Sequence, residues 1–258
     1  MRLIRYIYRE PQPRYGWVWE DLVGPIEGSP FGEYRRLEAD VPIEAVQILA
    51  PVTPSKIICI HQNYTDLAST ETDHTPEVPI MFLKPPSAMI GTGETILIPP
   101  QAQQVNHEAE LAIIIGRQGR WIPAEEAGAY IFGYAAANDI SARDLQYRDG
   151  LFARSKGFDT FCPLGPWVQT EFDPADAVIT CHVNGELRQM ASTHEMLFTI
   201  PRLIAFASSV MTLMPGDVLL TGSPPGSSPL EPGDLVETTI EGIGVLQNKV
   251  EMSSSPAP

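Results

Sequence analysis

Apolar positions along this chain fall in short, closely spaced runs, and most of the runs are strand-length. Leu111 to Gly116 is continuous, rich in β-branched residues and closed by glycine, the pattern of a strand covered on both faces. Tyr130 to Tyr134, continued by Ala135-Ala136-Ala137-Asn138-Asp139, reads as a second buried strand that ends on an acidic residue. Ile57 to Ile60, Ile80 to Leu83 and Val218 to Leu220 are further short buried strands. Arg2 to Tyr8 alternates as a half-buried strand does, with Tyr15 to Trp19 as its hairpin partner. Residues 178 to 188 read as a hairpin turning at Asn184-Gly185, and Leu235 to Val250 as closing strands. Helical patterning is confined to Ile200 to Leu213, with Pro201 near its first turn, to a short piece starting at Pro123-Ala124-Glu125-Glu126, and to the turns around Arg143 and Gln146. Many short strands with two or three helices predict an α+β, β-rich fold with a mixed sheet, not a doubly wound one.

Turn residues divide the chain. Gly24-Pro25 and Gly28-Ser29-Pro30-Phe31-Gly32 punctuate residues 1–52, which carry no ligand constellation and read as a small N-terminal β domain. Residues 53–258 form the main domain. Thr65 to Pro79 is rich in Thr, Asp, Glu and Pro and poor in apolar residues, which suits either a solvated loop or a lid over a site. Ser253 to Pro258 is expected to be a disordered tail.

Charge narrows the partners. With 17 Lys+Arg against 32 Asp+Glu the net charge is −15, which disfavours nucleic acid and anionic membranes and demands a local positive centre for any anionic substrate. No signal peptide or membrane span is expected, since Met1-Arg2-Leu3-Ile4-Arg5 opens no sustained apolar region and no run approaches span length. Cys59, Cys162 and Cys181 are scattered among apolar residues in no metal-ligand spacing, and reduced core thiols in a cytoplasmic protein are the expectation.

Candidate chemistry starts where the longest apolar run begins. Glu108 and Glu110 lie two apart at the mouth of the Leu111 strand and so project to one side, followed there by Ala112 and Ile114. A polar strand entry in water is the plainer reading of an isolated Glu-x-Glu. Asp139, at the end of the next strand, adds a third carboxylate. Three carboxylates from two strand ends, with no sulfur or paired histidine nearby, suit a hard cation: Mg²⁺, Mn²⁺ or Ca²⁺. Lys156, seventeen residues after Asp139, is placed to hold a substrate oxyanion or tune a proton transfer beside such an ion. No Gly-rich phosphate loop sits between a strand and a helix, which disfavours a nucleotide-binding enzyme; a metal-binding protein without turnover is the other rival.

The ordered motifs carry a resemblance. His107-Glu108-Ala109-Glu110-Leu111, Ala137 to Gln146, Ser155 to Trp167, Val183-Asn184-Gly185-Glu186, Pro215-Gly216-Asp217-Val218 and Thr221-Gly222-Ser223-Pro224 resemble the fumarylacetoacetate hydrolase family in the family's order, from about Pro54 to Val250. The resemblance implies a rolled mixed β-sheet with a half-open barrel around a metal, a small N-terminal β domain and a homodimer. It implies Glu108, Glu110 and Asp139 as metal ligands and Lys156 as a catalytic residue that stabilises charge. Arg143, Gln146, Tyr64, Lys84 and Ser223 become candidate substrate contacts. The implied substrate is a 2-oxo acid that chelates the ion through its carboxylate and keto oxygen.

One departure from the family pattern bears on the reaction. Hydrolytic members carry a His and, three residues later, a Glu in the lid, acting as the base that activates water. The matching positions here are Leu67 and Thr70. His61, His74 or Glu71 would have to replace that base, although His61 as a filled pocket wall is an equal reading. Hydrolysis of a C–C bond in an acylpyruvate-like substrate is the first expectation, followed by decarboxylation, isomerisation or tautomerisation of a related enol acid.

Overall fold

The computed structural model describes residues 1–65 and 76–254. Its strands make a 13-stranded sheet, a 5-stranded sheet and a 2-stranded sheet, and the α-helices are short: Arg143–Asp149, Phe152–Lys156 and Ile200–Val210. The architecture is the β-rich mixed fold that the strand pattern predicts. The main path of the large sheet runs from Tyr34–Arg36 through Leu22–Gly28, Glu10–Trp19 and Arg2–Tyr8 to Cys162–Gln169. It continues through Ile131–Asn138, Ala109–Ile115, Val218–Leu220 and Ile57–His61 to Ile80–Lys84. Val218–Leu220 and Ile57–His61 are parallel neighbours, while Ala109–Ile115 is antiparallel to both of its own.

This sheet is rolled, and the roll creates the site. Four strand steps separate Ile131–Asn138 from Ile80–Lys84, about 19 Å across a flat sheet. Yet the ammonium of Lys84 lies 2.6 Å from Asp139, just past the end of the first strand. Ala112, Ala135, Ala137, Cys59 and Cys162 are fully buried in one cluster with the larger Ile57, Ile114, Leu164 and Leu220. None of the sheets closes into a barrel. On the convex face Leu111, Ile113 and Ile115 pack in a cluster with Leu203 and Ile204 of the Ile200–Val210 helix and with the 5-stranded sheet.

Local chemistry explains most boundaries. Asn184 and Gly185 both take positive φ (54° and 79°), the two-residue turn whose twist matches a hairpin. The last helix stops at Val210, three residues short of the apolar pattern, because Met211 is extended and Leu213 exchanges two backbone hydrogen bonds with Gly119. Lys84 closes its strand, and the turn follows at Pro86–Ala88. The N-terminal strands have their own small core of Ile4, Tyr6, Val18 and Val23, and they join the large sheet where Leu3 sits opposite Val168. All three cysteines are buried and unpaired. Among the described residues no helix is long and apolar enough to cross a membrane.

Candidate metal centre

Two strand ends are locked together before any side-chain chemistry begins. The backbone N–H of Glu108 donates to the Asn138 side chain at 2.8 Å, and the Asp139 N–H donates to the Glu108 carbonyl at 2.8 Å. Glu110 faces Ala137 across the ladder, so its carboxylate enters the concave side with Glu108 and Asp139. One ligand atom from each of the three acids lies within 4.8 Å of the others. Glu110 and Asp139 are almost fully buried, and Glu108 stands at the edge.

Cations fill in around them. Lys156, on the last turn of Phe152–Lys156, reaches Asp139 Oδ2 at 2.6 Å and Glu108 Oε2 at 2.5 Å. Lys84 donates to Asp139 Oδ1 at 2.6 Å and to the Ile140 carbonyl at 3.1 Å from behind. Arg143 pairs with Glu108 Oε1 and donates to Gln146 Oε1 at 2.6 Å, one helical turn along. Burial raises the Glu110 carboxyl well above its ordinary value of 4.5, the charge of Asp139 adds to this, and Lys156 pulls the other way. Burial pushes Asp139 upward too, but Lys156 and Lys84 outweigh it and hold its carboxyl below the ordinary range. For Lys156 the signs reverse: burial lowers its pKa, and Asp139 and Glu108 raise it by more.

This donor set fits a hard divalent ion. All three groups are carboxylates, and Glu110, with the Gly222 N–H on its Oε2 at 2.6 Å, has no side-chain cation of its own in contact among the described residues. A cation shared with Glu108 and Asp139 would offset the burial and, with it, the Asp139 repulsion that raise its pKa.

The rim holds the remaining candidates. His61 ends its strand with its ring 5.0 Å from Phe152, which stacks on Phe82 at 4.5 Å; the Lys156 ammonium lies 5.1 Å over the Phe82 ring. Burial and then the nearby Lys156 charge lower the His61 pKa. The Tyr64 hydroxyl is buried with no hydrogen-bond partner among the described residues, and burial followed by the Glu110 charge raises its pKa. Ser223 follows the Gly222 amide that holds Glu110, and its hydroxyl accepts from Gln189 at 2.9 Å. Leu67, Thr70, Glu71 and His74 lie outside the described residues.

Asn138, His107 and Gln189 were not singled out as site residues by sequence reasoning. Asn138 reads as a strand breaker, and its capture of the Glu108 amide depends on the ladder register. Gln189 comes from the 5-stranded sheet, eighty-two positions from its partner His107, and no local pattern marks it. His107 is the first residue of the His-Glu-x-Glu motif, the one available signal.

Comparison with known proteins bears on the whole chain. The chain is 42% identical to the mitochondrial oxaloacetate tautomerase Fahd2a of Rattus norvegicus, over 84% of its own length and 74% of that protein. A solved 5-carboxymethyl-2-hydroxymuconate delta-isomerase from Mycobacterium smegmatis superposes with a TM-score of 0.92 at 43% identity, covering 98% of this chain and 100% of that one. Maleylpyruvate hydrolase from Sphingobium sp. SYK-6, solved with manganese(II) and pyruvate, gives a TM-score of 0.82 at 31% identity over 98% and 100% of the two chains. Residues 1–51 match the family described as Rv2993c-like, N-terminal. Residues 56–251 match the fumarylacetoacetate hydrolase C-terminal family, and the chain belongs to the fumarylacetoacetate hydrolase family of enzymes.

Proposed function

We propose that this protein is a divalent-metal-dependent enzyme that interconverts the keto and enol forms of a short 2-oxo diacid such as oxaloacetate. The observation that carries the reading is the cluster of three carboxylates within 4.8 Å, two of them touched by one buried lysine, with an arginine at the rim. Glu108, Glu110 and Asp139 would hold the ion. When bound there, a divalent ion supplies positive charge that stabilises negative charge developing on a keto oxygen. Lys156 faces the same place and would stabilise that charge from the other side. Lys84, engaged on Asp139 from behind, would orient that ligand. Arg143 and Gln146 would receive a substrate carboxylate, Arg143 through its planar fork. Tyr64 and Ser223 would offer hydroxyls to substrate oxygens.

Keto–enol exchange breaks one C–H bond beside the keto group and forms one O–H bond at the keto oxygen; nothing else leaves. It needs enolate stabilisation and a proton acceptor, and no attacking water. That economy suits a chain with Leu67 and Thr70 where hydrolytic members of the family keep a basic pair. The identity to the rat tautomerase, above that to the Sphingobium hydrolase, supports the same order. C–C hydrolysis of an acylpyruvate is the second reading, favoured by His61: a half-buried imidazole at the rim, its pKa lowered by burial and then by Lys156, would be the group to take a proton from water.

The deciding experiment gives the Mg²⁺-loaded protein oxaloacetate and acetylpyruvate separately, following enol absorbance, pyruvate and acetate. Accelerated enol decay from oxaloacetate with no acetate from acetylpyruvate is expected. Acetate release that His61→Ala abolishes establishes the second reading. Neither reaction, with either substrate, removes both.

A further inference from the structure

The loop 222–229 lines the centre and is carried by a strand of the other sheet. Gly226 takes φ +101°, and a Cβ there would stand 2.2 Å from the Arg188 carbonyl, so the loop lies directly on Glu186–Ser192. From that strand Gln189 enters the interior and uses its whole amide. Its Oε1 accepts from the Ala109 N–H at 3.0 Å and from His107 Nδ1 at 2.9 Å. Its Nε2 donates to the Pro224 carbonyl at 2.6 Å and to Ser223 Oγ at 2.9 Å. An amide N–H on one side and a carbonyl on the other leave only one orientation for this side chain. His107 Nδ1 therefore carries a proton, and its Nε2 accepts from the Ser228 hydroxyl at 2.9 Å.

These contacts decide which way Ser223 can act. The Gln189 N–H occupies one acceptor direction of the Ser223 oxygen, leaving the hydroxyl proton to donate. Among the described residues, the acceptor recorded for that proton is the Pro224 carbonyl at 3.4 Å, too long for a strong hydrogen bond. The Gly222 amide one residue earlier is on Glu110, so this hydroxyl stands next to the centre.

We infer that Gln189, braced by His107, is a positioning residue that sets the Ser223 hydroxyl as a hydrogen-bond donor to an anionic oxygen of the bound 2-oxo acid. The inference rests on the reading of the centre as a 2-oxo acid site. Gln189 touches no reacting atom; it ties the Glu108–Glu110 strand and the Ser223 loop into one unit. His107 transmits the same constraint to Ser228, at the far end of the loop.

Oxalate, a planar dianion with the oxygen spacing of a 2-oxo acid, is the probe. Calorimetry on the Mg²⁺-loaded wild type, Gln189→Met, Ser223→Ala and the double variant forms a cycle. Each single variant is expected to weaken oxalate roughly ten- to a hundred-fold, the scale of one hydrogen bond to a charged group, while Mg²⁺ affinity stays within about two-fold. The double variant is expected to match the weaker single one. Losses that multiply, or oxalate affinity unchanged in folded Gln189→Met, overturn the inference and leave the 2-oxo acid reading standing. A wild-type protein that binds Mg²⁺ but no oxalate removes both. Gln189→Asn, which keeps the amide and shortens its reach, repeats the cycle if the methionine variant lacks the wild-type melting transition. Ser228→Ala tests the brace: oxalate weakened about three- to ten-fold is expected, and no change removes His107 from the device.

Discussion

The large sheet buries acids beside lysines in two places, and the contrast between them separates a structural staple from the candidate metal centre. Asp217, just before the Val218–Leu220 strand, is fully buried and accepts five hydrogen bonds: from the N–H groups of Ser55, Lys56 and Met214, the Ser55 hydroxyl and the Lys56 ammonium. All but one of these donors come from two adjacent residues on the neighbouring segment, and among the described residues no other carboxylate joins Asp217 in a cluster. At Glu108, Glu110 and Asp139 the arrangement is the reverse. Three acids share one space, backbone amides supply a single donor to Glu110, and Lys84, Lys156 and Arg143 are spread over the other two. A saturated acid has nothing left to bind. A crowded one leaves Glu110, held by one backbone N–H and paired with no lysine or arginine among the described residues, as a carboxylate to offer a cation.

The two lysines offer the sharpest break. Lys156→Met should lower turnover of oxaloacetate by roughly 10²–10³, the loss seen when one oxyanion contact is removed, with Mg²⁺ affinity retained. Lys56→Met should leave turnover unchanged and lower the melting temperature. Equal kinetic effects of the two substitutions would erase the distinction.

Exchanging the acids tests it from the other side. Asp217→Ala breaks a buried pair whose lysine keeps some water, a loss of about 3 kcal/mol, or roughly 6–12 °C in Tm, with metal affinity untouched. Glu108→Ala should weaken divalent-ion binding on the order of 100-fold, as three hard ligands become two. Glu125→Ala, on the 3-10 turn Ala124–Tyr130, is the control that changes neither.

Metal removal gives a smaller shift. Ion at about 100 times its Kd should stabilise the wild type by about 2.7 kcal/mol over the protein in chelator, and this increment should persist in Asp217→Ala and vanish in Glu108→Ala. Thermal melts with and without EDTA read it directly.

The smallest effect is a slope with pH. The folded-state pKa of Glu110 is raised above its ordinary value of 4.5, so its contribution in the metal-free protein is full below that value. It is lost as pH rises through the folded pKa. Asp139, held low by the two lysines, contributes the opposite tilt at acid pH. In EDTA, Glu110→Gln should therefore flatten the decline of Tm with pH above about 4.5. Parallel curves for wild type and Glu110→Gln would mean that Glu110 is not under strain.

Legibility in the sequence followed the distance over which a contact is made. Period two put Glu108 and Glu110 on one face, and an apolar run ending in Asn138-Asp139 marked the partner strand, because strand periodicity is local. The Asn184-Gly185 turn was equally readable from residue type. The end of the last helix was not, since the Leu213–Gly119 bridge that stops it is non-local.

What the amino-acid sequence determined alone is the strand-rich composition, the facing of the acids and the family motifs that order them. Tertiary structure alone decided that Lys84, four strands away, meets Asp139, and that Gln189 crosses from a second sheet to hold the Ser223 loop. Both depend on how tightly the sheet rolls and how the two sheets stack. That arrangement is a sum over many packed side chains from distant strands, Cys59, Ala112, Ala135, Cys162 and Leu220 among them, and no single stretch of sequence encodes it.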